Sequence, residues 1–416
     1  MPRRRTVGEA ERLTPLIVMM LLAFLAAWLT SRRGPAPRPA PPRDSAPADG
    51  YLFCTWNVEN LFDDRDDPKD DDAGEDWFGR DPAAVGSKLD LLAEALLAQN
   101  GGRGPDILAL VEVETRRSVE LLRDALNARL PPDWHYNGII HRNNRTGRRI
   151  EPAVLTRLPV VEATATDFGI RRIVAARIMV GGAPLTVFAS HWTSRLTDTD
   201  GAKRAAYAGV LSDALAERLG SDPAADVLIA GDFNDEPDDP SVRDSLNATG
   251  DEARVRVGGT RPILLNVTAR LARQGRGTYR YRGRWEMLDH IVASPGLLDD
   301  RGWRILPGTV EIRGGRSLQI GRDDRPRRFG NRQSRVPRGP SDHFAVTVRL
   351  VAGKPPGPIA RSQGAASWAA CNPPSRNSSR PTSTPWPPPV WRQRTAIAFL
   401  PGRKSAFALA SRATSR

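Results

Sequence analysis

The sequence predicts an α/β fold in which mixed β-sheets carry helices on their outer sides. Short apolar runs at residues 107–113 and 227–230 have the length of buried strands. Residues 85–99 and 202–219 instead repeat apolar side chains at helical spacing, and glycine follows each. These strands and helices alternate irregularly, without the period of repeated βαβ units. The pattern therefore favours sheets with mixed strand directions.

The same two patterns define the remaining elements. The strands are short runs rich in apolar or aromatic side chains, and the helices repeat apolar side chains every three or four residues. In chain order, we predict a strand at 52–56, a helix at 85–99, a strand at 107–113, a helix at 119–130, strands at 154–156, 173–180 and 185–190, a helix at 202–219, and strands at 227–230, 278–281, 288–293 and 344–350.

Segments of unusual composition flank this folded region. Residues 16–29 form an unbroken run of 14 apolar residues after an arginine-rich start. The run has the length of the apolar part of a signal peptide and is shorter than the ~20 residues of a full membrane span. We predict that residues 1–33 are an N-terminal signal or membrane anchor, which would make the protein membrane-anchored or exported (extracytoplasmic). Residues 34–50 are a Pro/Ala linker, and residues 352–416 are a basic tail without acidic residues, which predicts disorder.

The net charge of +13 at pH 7 comes from these flanking segments. Residues 1–44 contribute +5 and residues 351–416 contribute +10, which leaves −2 for the remainder. Within that remainder, residues 253–350 hold 21 basic and 8 acidic side chains. Such a surplus suits a polyanion on one face or an ordinary solvated basic surface. The two cysteines of the chain are too few for a disulfide framework or a cysteine-based zinc site.

Residues 227–237, VLIAGDFNDEP, place oxygen-bearing side chains directly after a buried strand. Asp232 and Asn234 project from one rim, and such groups suit a hydrated Mg²⁺ and a phosphate. Taken alone, the motif is equally consistent with an acidic turn before Pro237. Polar clusters at five other strand ends favour a functional site: residues 56–60 in WNVEN, Glu112 and Glu114 in LALVEVET, His191 in FASHWTSR, residues 289–290 in WEMLDHIVAS, and residues 341–343 in GPSDHFAV.

These motifs, in this order, resemble the endonuclease/exonuclease/phosphatase superfamily, which has the deoxyribonuclease-I-like fold. The matching segments are WNVENLFD, ALVEVE, SHWTSR, AGDFNDEP, TYRYRGRWEMLDHI and SDHF. The resemblance covers residues 51–351, which we expect to form the endonuclease/exonuclease/phosphatase domain. It implies a four-layer α/β sandwich, with two mixed β-sheets packed face to face and helices outside.

The resemblance also assigns a metal site. Asn57 and Glu112 correspond to the metal-site pair, with Glu112 as the direct ligand of Mg²⁺ or Mn²⁺. Glu59 and Asp342 are further acidic positions that would face the metal. Glu114 is the alternative ligand, because VEVE puts two carboxylates on the same face of a strand. The family position favours Glu112.

The remaining motif residues correspond to the groups that act on the phosphate and the water. His191 corresponds to the histidine that grips the scissile phosphate. Asp232 and Asn234 correspond to the pair that orients the attacking water and steadies the phosphoryl oxygens. A histidine polarised by a carboxylate suits proton abstraction from water, and His343 with Asp289 would supply it. Asp232 is the alternative base.

Arginines and aromatic residues are the candidate substrate contacts. Arg195 and Arg204 could bind phosphate oxygens bidentately, although surface arginines without such a role are as common. In residues 278–285, Tyr279 and Arg282 belong to a segment that could stack bases and hold phosphates, or form a hairpin with its aromatic side chains in the core. This segment favours a nuclease that acts on DNA or RNA. The sequence indicates no obligate protein partner.

Two other functions are compatible with the sequence. The first is a phosphomonoesterase or a lipid phosphodiesterase of the inositide or sphingomyelin type, which a membrane anchor would favour. Such an enzyme would need apolar loops near the site, whereas residues 63–76 and 322–338 are charged. The second, more distant one is a non-catalytic binding protein, which would normally have lost ligand residues that are all present in this chain.

Overall fold

The computed structural model describes residues 49–65, 78–144, 150–168, 171–315, 318–321, 324–331, 334 and 337–353. The predicted signal or anchor, nearly all of the linker and the C-terminal tail beyond residue 353 lie outside these described residues. Within the described ranges, every helix is too short or too polar to cross a membrane.

Strands and helices of the described chain follow the predicted irregular alternation. The strands are β1 (Tyr51–Leu61), β2 (Ile107–Val113), β3 (Gly138–Ile140), β4 (Glu151–Thr156), β5 (Val160–Phe168), β6 (Arg171–Val180), β7 (Ala183–Ser190), β8 (Val227–Asp232), β9 (Ala248–Thr249), β10 (Leu264–Asn266), β11 (Tyr279–Tyr281), β12 (Arg284–Glu286), β13 (Asp289–Ala293), β14 (Trp303–Ile305), β15 (Glu311–Arg313), β16 (Gln319–Ile320), β17 (Arg325–Pro326) and β18 (Ala345–Ala352). The α-helices are α1 (Pro82–Leu97), α2 (Arg116–Asn127), α3 (Ala202–Ser221), α4 (Glu252–Val257) and α5 (Ala269–Arg273). Single 3₁₀ turns lie at Phe78–Arg80, Asn100–Gly102, Pro132–Trp134 and Pro295–Leu298, and a π-helical turn lies at Ser241–Ser245.

Two sheets of seven strands each form the centre of the described structure. The first has the order β14-β18-β1-β2-β4-β3, with β15 also paired to β18, and the second has the order β5-β6-β7-β8-β13-β10-β9. Strands β1 and β2 run parallel, as do β7 and β8, whereas β18 and β13 are antiparallel to their neighbours β1 and β8. The predicted mixed sheets are therefore confirmed.

Alternation of side chains along the strands produces four layers. In β1, Phe53 faces the apolar core between the two sheets, and Trp56 faces the opposite side, where α1 contributes Leu92. The outer side of the second sheet is covered in the same way, with Leu211 of α3 packed near Ile229 of β8. This arrangement confirms the α/β sandwich with helices outside.

Strand directions bring the predicted motifs to one end of the sandwich. Asn57 near the end of β1 pairs with Val111 near the end of parallel β2. Because β13 is antiparallel to β8, Asp289 at its start lies opposite Asp232 at the end of β8. The start of β18, just after His343, likewise lies beside the middle of β1. Residues distant in sequence thus meet at one edge.

Candidate active site

Asp232 lies at the centre of this edge and is 1% exposed. Its Oδ1 accepts a hydrogen bond from the backbone N–H of Asn234 at 2.9 Å, and its Oδ2 accepts one from Nδ2 of Asn57 at 3.1 Å. The Nε2 atoms of His191 and His343 lie 3.7 and 4.0 Å from the same Oδ2. One carboxylate therefore connects motif residues from both sheets.

Gly231 allows the two strands that carry these residues to approach closely. Its φ is +138°, and a Cβ at this position would lie 1.9 Å from the carbonyl oxygen of Ser190. Only glycine avoids this clash. The close approach lets Trp192 donate its backbone N–H to the carbonyl of Asp232 at 2.9 Å, while Nδ2 of Asn234 donates to the carbonyl of Trp192 at 3.0 Å. These hydrogen bonds fix the AGDFN motif against the segment that carries His191 and Trp192.

His343 and Asp289 form a buried pair, with Nδ1 of the histidine 2.7 Å from Oδ2 of the carboxylate. Burial by itself would lower the pKa of His343, but the charge and hydrogen bond of Asp289, with the charges of Asp232 and Asp342, raise it well above its ordinary value. Ser341 holds the motif in place, because its Oγ donates to a carbonyl of β1 at 2.6 Å and accepts the N–H of His343 at 3.1 Å. The imidazolium form is favoured.

Irregular backbone at the end of β2 turns Glu112 into the site. Its φ is +64°, and the pairing of β1 with β2 shifts register between Asn57 and Leu61. Left-handed conformations of residues other than glycine are strained and cluster at functional sites. Oε1 of Glu112 accepts from Nδ2 of Asn57 at 3.2 Å and lies 4.0 Å from Nε2 of His191, while Oε2 accepts the N–H of Asn60 at 2.9 Å.

Glu114, the alternative ligand, makes a different contact. It is 3% exposed, and its Oε2 accepts the backbone N–H of Asp63 at 2.8 Å. The two carboxylates of VEVE would share a face of a regular strand, but the left-handed backbone at Glu112 breaks that regularity. The structure accordingly places Glu112 beside Asn57, and it places Glu114 against the loop after β1.

Glu59 and Asp342 are linked to each other through Arg328. Oε1 of Glu59 accepts from Nε of Arg328 at 3.0 Å, and Oδ2 of Asp342 lies 3.4 Å from its other nitrogen NH2. Glu59 also accepts the backbone N–H groups of Phe329 and Gly330, at 2.5 and 3.0 Å. The Glu59 carboxylate therefore holds the loop that carries Arg328.

Negative charge is crowded at this site. Burial, followed by the charge of Asp289, raises the pKa of Asp232 to about 7. Burial, followed by the charge of Glu59, raises the pKa of Asp342 to about 7. Excess buried carboxylate charge and a donor set dominated by oxygen fit a hard divalent cation.

Two groups of residues at the site contain possible metal donors. In the described part of the chain, donor atoms of Asp232, Asp289 and His343 lie within 4.8 Å of one another. A cation between the last two would displace their 2.7 Å hydrogen bond. Glu112 fits the cation better, because its carboxylate is 16% exposed and a cation there would replace only its longer, 3.2 Å hydrogen bond from Nδ2 of Asn57. Oδ1 of Asn57 accepts the backbone N–H of Glu59 at 3.0 Å.

The two predicted arginine contacts are engaged with carboxylates. Arg204 is 5% exposed, and its guanidinium lies 2.8 Å from Oδ2 of Asp235 and 3.3 Å from Oδ2 of Asp198. Arg195 is half-exposed and pairs with Asp235 and Asp239, at 3.2 and 2.5 Å. Both side chains stabilise the loop after β8 in this structure, and Arg204 is too buried to meet a substrate.

The hairpin of β11 and β12 lies at the rim of the site. The ring of Tyr279 stacks on the imidazole of His343, with centroids 4.7 Å apart and planes inclined by 29°. Arg282 occupies the exposed turn, where its guanidinium lies 5.2 Å from the ring centroid of Tyr281. Tyr279 therefore contacts His343 directly, whereas Arg282 lies farther along the hairpin.

Lys88 supports the site but was not among the predicted residues. It is fully buried in α1, and its Nζ donates to the carbonyl oxygens of Glu59 at 2.9 Å and Pro340 at 2.6 Å. Burial lowers its pKa to about 8. A signal was present in the sequence, because Lys88 lies three residues after Val85 and four before Leu92, on the apolar face of the helix.

A sequence profile of the Endonuclease/Exonuclease/phosphatase family matches residues 53–352. The match spans most of the chain, and the protein belongs to this family, whose members are phosphoesterases. The predicted family is therefore confirmed. None of the curated proteins compared with the sequence matches it significantly.

Several solved structures are similar to this chain at low sequence identity. Truncated TDP2 of Caenorhabditis elegans is 19% identical, with a TM-score of 0.44 over 73% of this chain and 97% of that chain. TDP2 of D. rerio in complex with a single strand DNA product is 16% identical, with a TM-score of 0.45 over 72% and 98%. A mannosyl-6-phosphatase of Bacteroides thetaiotaomicron is 15% identical, with a TM-score of 0.45 over 72% and 99%. Similarity this distant carries no argument about the substrate.

Proposed function

We propose that the protein is a Mg²⁺- or Mn²⁺-dependent phosphodiesterase that hydrolyses DNA or RNA. The observation that carries the proposal is the convergence on Asp232, whose Oδ2 has Asn57 and both histidines around it. A phosphodiester is a poor electrophile shielded by negative charge. Its hydrolysis needs a cation, a proton acceptor for water and donors to the phosphoryl oxygens, and this cluster contains groups for each task.

Glu112 and Asn57 would hold the cation. Bound there, a divalent cation would neutralise a non-bridging phosphate oxygen and the charge on the leaving oxygen. Glu112 suits this role because 16% of its side chain is exposed to solvent, whereas only 2% of the neighbouring Asp232 side chain is exposed. Asn60 fixes the second oxygen of Glu112 and so sets the direction of the first.

Asp232 and the two histidines would act on water and phosphate. Hydrogen bonds from Asn57 and Asn234 hold the two oxygens of Asp232, so the carboxylate is oriented before a water arrives. His191 Nε2 and His343 Nε2 approach it from two sides and can donate to phosphoryl oxygens. The imidazolium form of His343 favours this donor role and favours Asp232 as the proton acceptor.

The rim hairpin supports a nucleic-acid substrate over a small phosphoester. Tyr279 is half-exposed and already stacks on His343, so its ring could extend the stack to a base next to the scissile phosphate. Arg282 and Arg284, on the exposed part of the hairpin, could contact flanking phosphates. A phosphomonoesterase would have little use for such an extended rim.

We also propose that residues 1–33 export or anchor the protein, so that the domain of residues 51–351 acts outside the cytoplasm. The apolar run at 16–29 and the Pro/Ala linker support this placement. Detection of the domain by protease added to intact cells would test it.

Hydrolysis assays with the full-length protein test the function. Supercoiled plasmid, single-stranded DNA, RNA, phospholipids and small phosphomonoesters are incubated with Mg²⁺ or Mn²⁺, with EDTA and His343→Ala as controls. Cleavage of a nucleic acid that both controls abolish supports the proposal. Release of phosphate from a monoester, or of a lipid headgroup, with intact nucleic acid would overturn the nuclease assignment while leaving the metal site intact.

A further inference from the structure

A second cavity lies away from the site described above and has a volume of about 570 Å³. Strand β10 and helix α5 form one wall, α4 forms another, and the turn at Pro295–Leu298 with β14 and the loop after it closes the rest. None of the candidate active-site residues lines this cavity.

The cavity has an apolar floor that is only partly covered. Leu265, Leu271 and Leu297 are buried beneath it, whereas Leu298 and Ile305 are half-buried and line it. Half-covered aliphatic side chains in a concave surface gain free energy when an apolar group displaces water from them. The floor therefore suits the apolar part of a ligand.

Arginines form the rim. Arg270, Arg276 and Arg304 all line the cavity, and within the described part of the chain no carboxylate forms an ion pair with any of the three. The other charged groups are largely neutralised, because Arg256 pairs with Glu252 at 2.7 Å and Asp299 pairs with Arg301 at 3.0 Å. Among the described carboxylates of the lining, Asp300 alone has no ion-pair partner, and it opposes the three cations. The rim thus presents net positive charge to a ligand.

The cavity extends from Arg304, at the end of the sandwich opposite the catalytic edge, to Arg276, three residues before Tyr279. Arg304 of β14 pairs with Val351 near the end of β18, while His343 precedes the start of that strand. Eight residues of strand β18 separate the two ends, which corresponds to roughly 25 Å at the rise of an extended chain. The described chain also begins at this end, where Tyr51 pairs with Leu350.

We propose that this cavity is a binding site for an anionic phospholipid, with the phosphate held by Arg270, Arg276 and Arg304 and the first part of the acyl chains on the apolar floor. Guanidinium groups bind phosphate oxygens through paired charge-assisted hydrogen bonds. A free inorganic phosphate would use the rim alone, and a neutral amphiphile would use the floor alone. The combination of the two selects a phosphate attached to an apolar body.

Binding of a water-soluble lipid tests the proposal without a membrane. Full-length protein in EDTA is titrated with dihexanoyl phosphatidylglycerol below its micelle concentration, and the heat of binding is measured. We expect saturable binding that weakens by about tenfold or more in the double variant Arg270→Gln/Arg304→Gln, because two charge-assisted contacts are lost. The matched control Arg129→Gln/Arg243→Gln changes the charge equally at exposed positions outside the cavity and should bind like the wild type.

The basic flanking segments bind anions in every variant, so the difference between the two double variants isolates the cavity. If lipid binding weakens by the same factor in both double variants, or if the wild type shows no saturable binding, the proposed site is wrong. Inorganic phosphate and dihexanoyl phosphatidylcholine are titrated in the same way. Each should bind more weakly than dihexanoyl phosphatidylglycerol, by a factor of about ten or more. Phosphate binding as tight as the lipid would overturn the role of the floor. The single variant Arg276→Gln changes an exposed position, so its folding should not be affected. It should bind the lipid more weakly than the wild type and have the same thermal unfolding temperature.

Discussion

Nδ1 of His343 lies 2.7 Å from Oδ2 of Asp289, although the two residues are positioned by strands of different sheets. Asp289 begins β13 of the second sheet, and His343 lies two residues before β18 of the first. Their hydrogen bond therefore depends on the face-to-face packing of the two sheets. The geometry of the candidate site is coupled to the packing of the sheets at this point.

Asp289→Asn should lower kcat for phosphodiester hydrolysis by about 10²–10⁴-fold, because the amide can no longer stabilise the imidazolium of His343. The KM should change little, since Asp289 is fully buried and does not meet the substrate. Steady-state rates on an activated phosphodiester measure both constants. Asp244→Asn, at an exposed ion pair with Arg243, is the matched control and should behave like the wild type. A variant rate within about threefold of the wild type would contradict the role of the pair.

Glu112→Gln and Glu114→Gln should separate metal binding from folding. The first should raise the Mg²⁺ or Mn²⁺ concentration for half-maximal activity by about tenfold or more, because a charged oxygen donor is lost. The second should leave that concentration unchanged and lower stability by about 1–2 kcal/mol, because Glu114 accepts the buried N–H of Asp63. Metal titrations of activity and urea unfolding distinguish the two. The reverse outcome would assign the metal to Glu114.

The elements with strong periodicity were predictable from the sequence. The strand at 107–113 and the helix at 202–219 agree closely with β2 and α3, and the strand at 227–230 extends two residues further to Asp232. Helix α1 begins at Pro82, three residues earlier than the apolar pattern indicates, because Asp81 accepts the N–H of Ala84 and caps it. Short or polar elements were missed, including β5, α4, α5 and the strands β14–β17, because two to nine residues with mixed character lack a readable period.

The site was predictable as a set of motifs, but its internal contacts were not. The left-handed backbone at Glu112 depends on the register shift between β1 and β2, and no residue-level pattern signals it. The pairing of Arg204 with Asp198 and Asp235 depends on how α3 docks beside the loop after β8. Such contacts arise from packing between elements, and the periodicity of a single element does not predict how it packs against another.

Tyr279→Ala should weaken binding of single-stranded DNA more than hydrolysis of a small phosphodiester. Loss of a stacking surface costs about 1–3 kcal/mol per base, which corresponds to a KM for DNA raised by about fivefold or more. Tyr281→Ala is the matched control, because that ring is exposed on the same hairpin and does not touch His343. Tyr279→Phe should retain most of the affinity, since it keeps the ring. Equal losses on DNA and on the small substrate would instead indicate that Tyr279 acts only by supporting His343.

Lys88→Met should destabilise the protein by about 3 kcal/mol, because the carbonyl groups of Glu59 and Pro340 lose charge-assisted hydrogen bonds inside the core. Activity should fall as well, since Pro340 leads directly into the SDH motif. Urea unfolding at pH 7 measures the stability, and Lys203→Met, at an exposed position, is the control. Unchanged stability in Lys88→Met would show that the buried ammonium contributes no more than its aliphatic stem.

Asp226→Asn should stabilise the protein at alkaline pH and have a smaller effect in acid. Burial raises the pKa of Asp226 from its ordinary 3.8 to about 7, with support from the charges of Asp299 and Asp222, while the backbone hydrogen bond from Trp303 lowers it. Because the folded pKa is raised, the contribution of this carboxyl to stability is full below pH 4 and is lost as the pH rises through 7. Asparagine keeps a neutral acceptor for the N–H of Trp303, which lies 2.7 Å from Oδ2.

The stability of Asp226→Asn relative to the wild type should therefore grow by about 2–3 kcal/mol between pH 5 and pH 8, at about 1.4 kcal/mol per pKa unit. Urea unfolding at a series of pH values measures this difference. Asp244→Asn, at a fully exposed ion pair, should show a flat difference over the same range. A flat profile for Asp226→Asn as well would mean that water reaches this carboxyl in the folded state and that its proton affinity is ordinary. A rising profile would identify the contact between β8 and β14 as a source of alkaline instability, at the same end of the sandwich as the arginine-rimmed cavity.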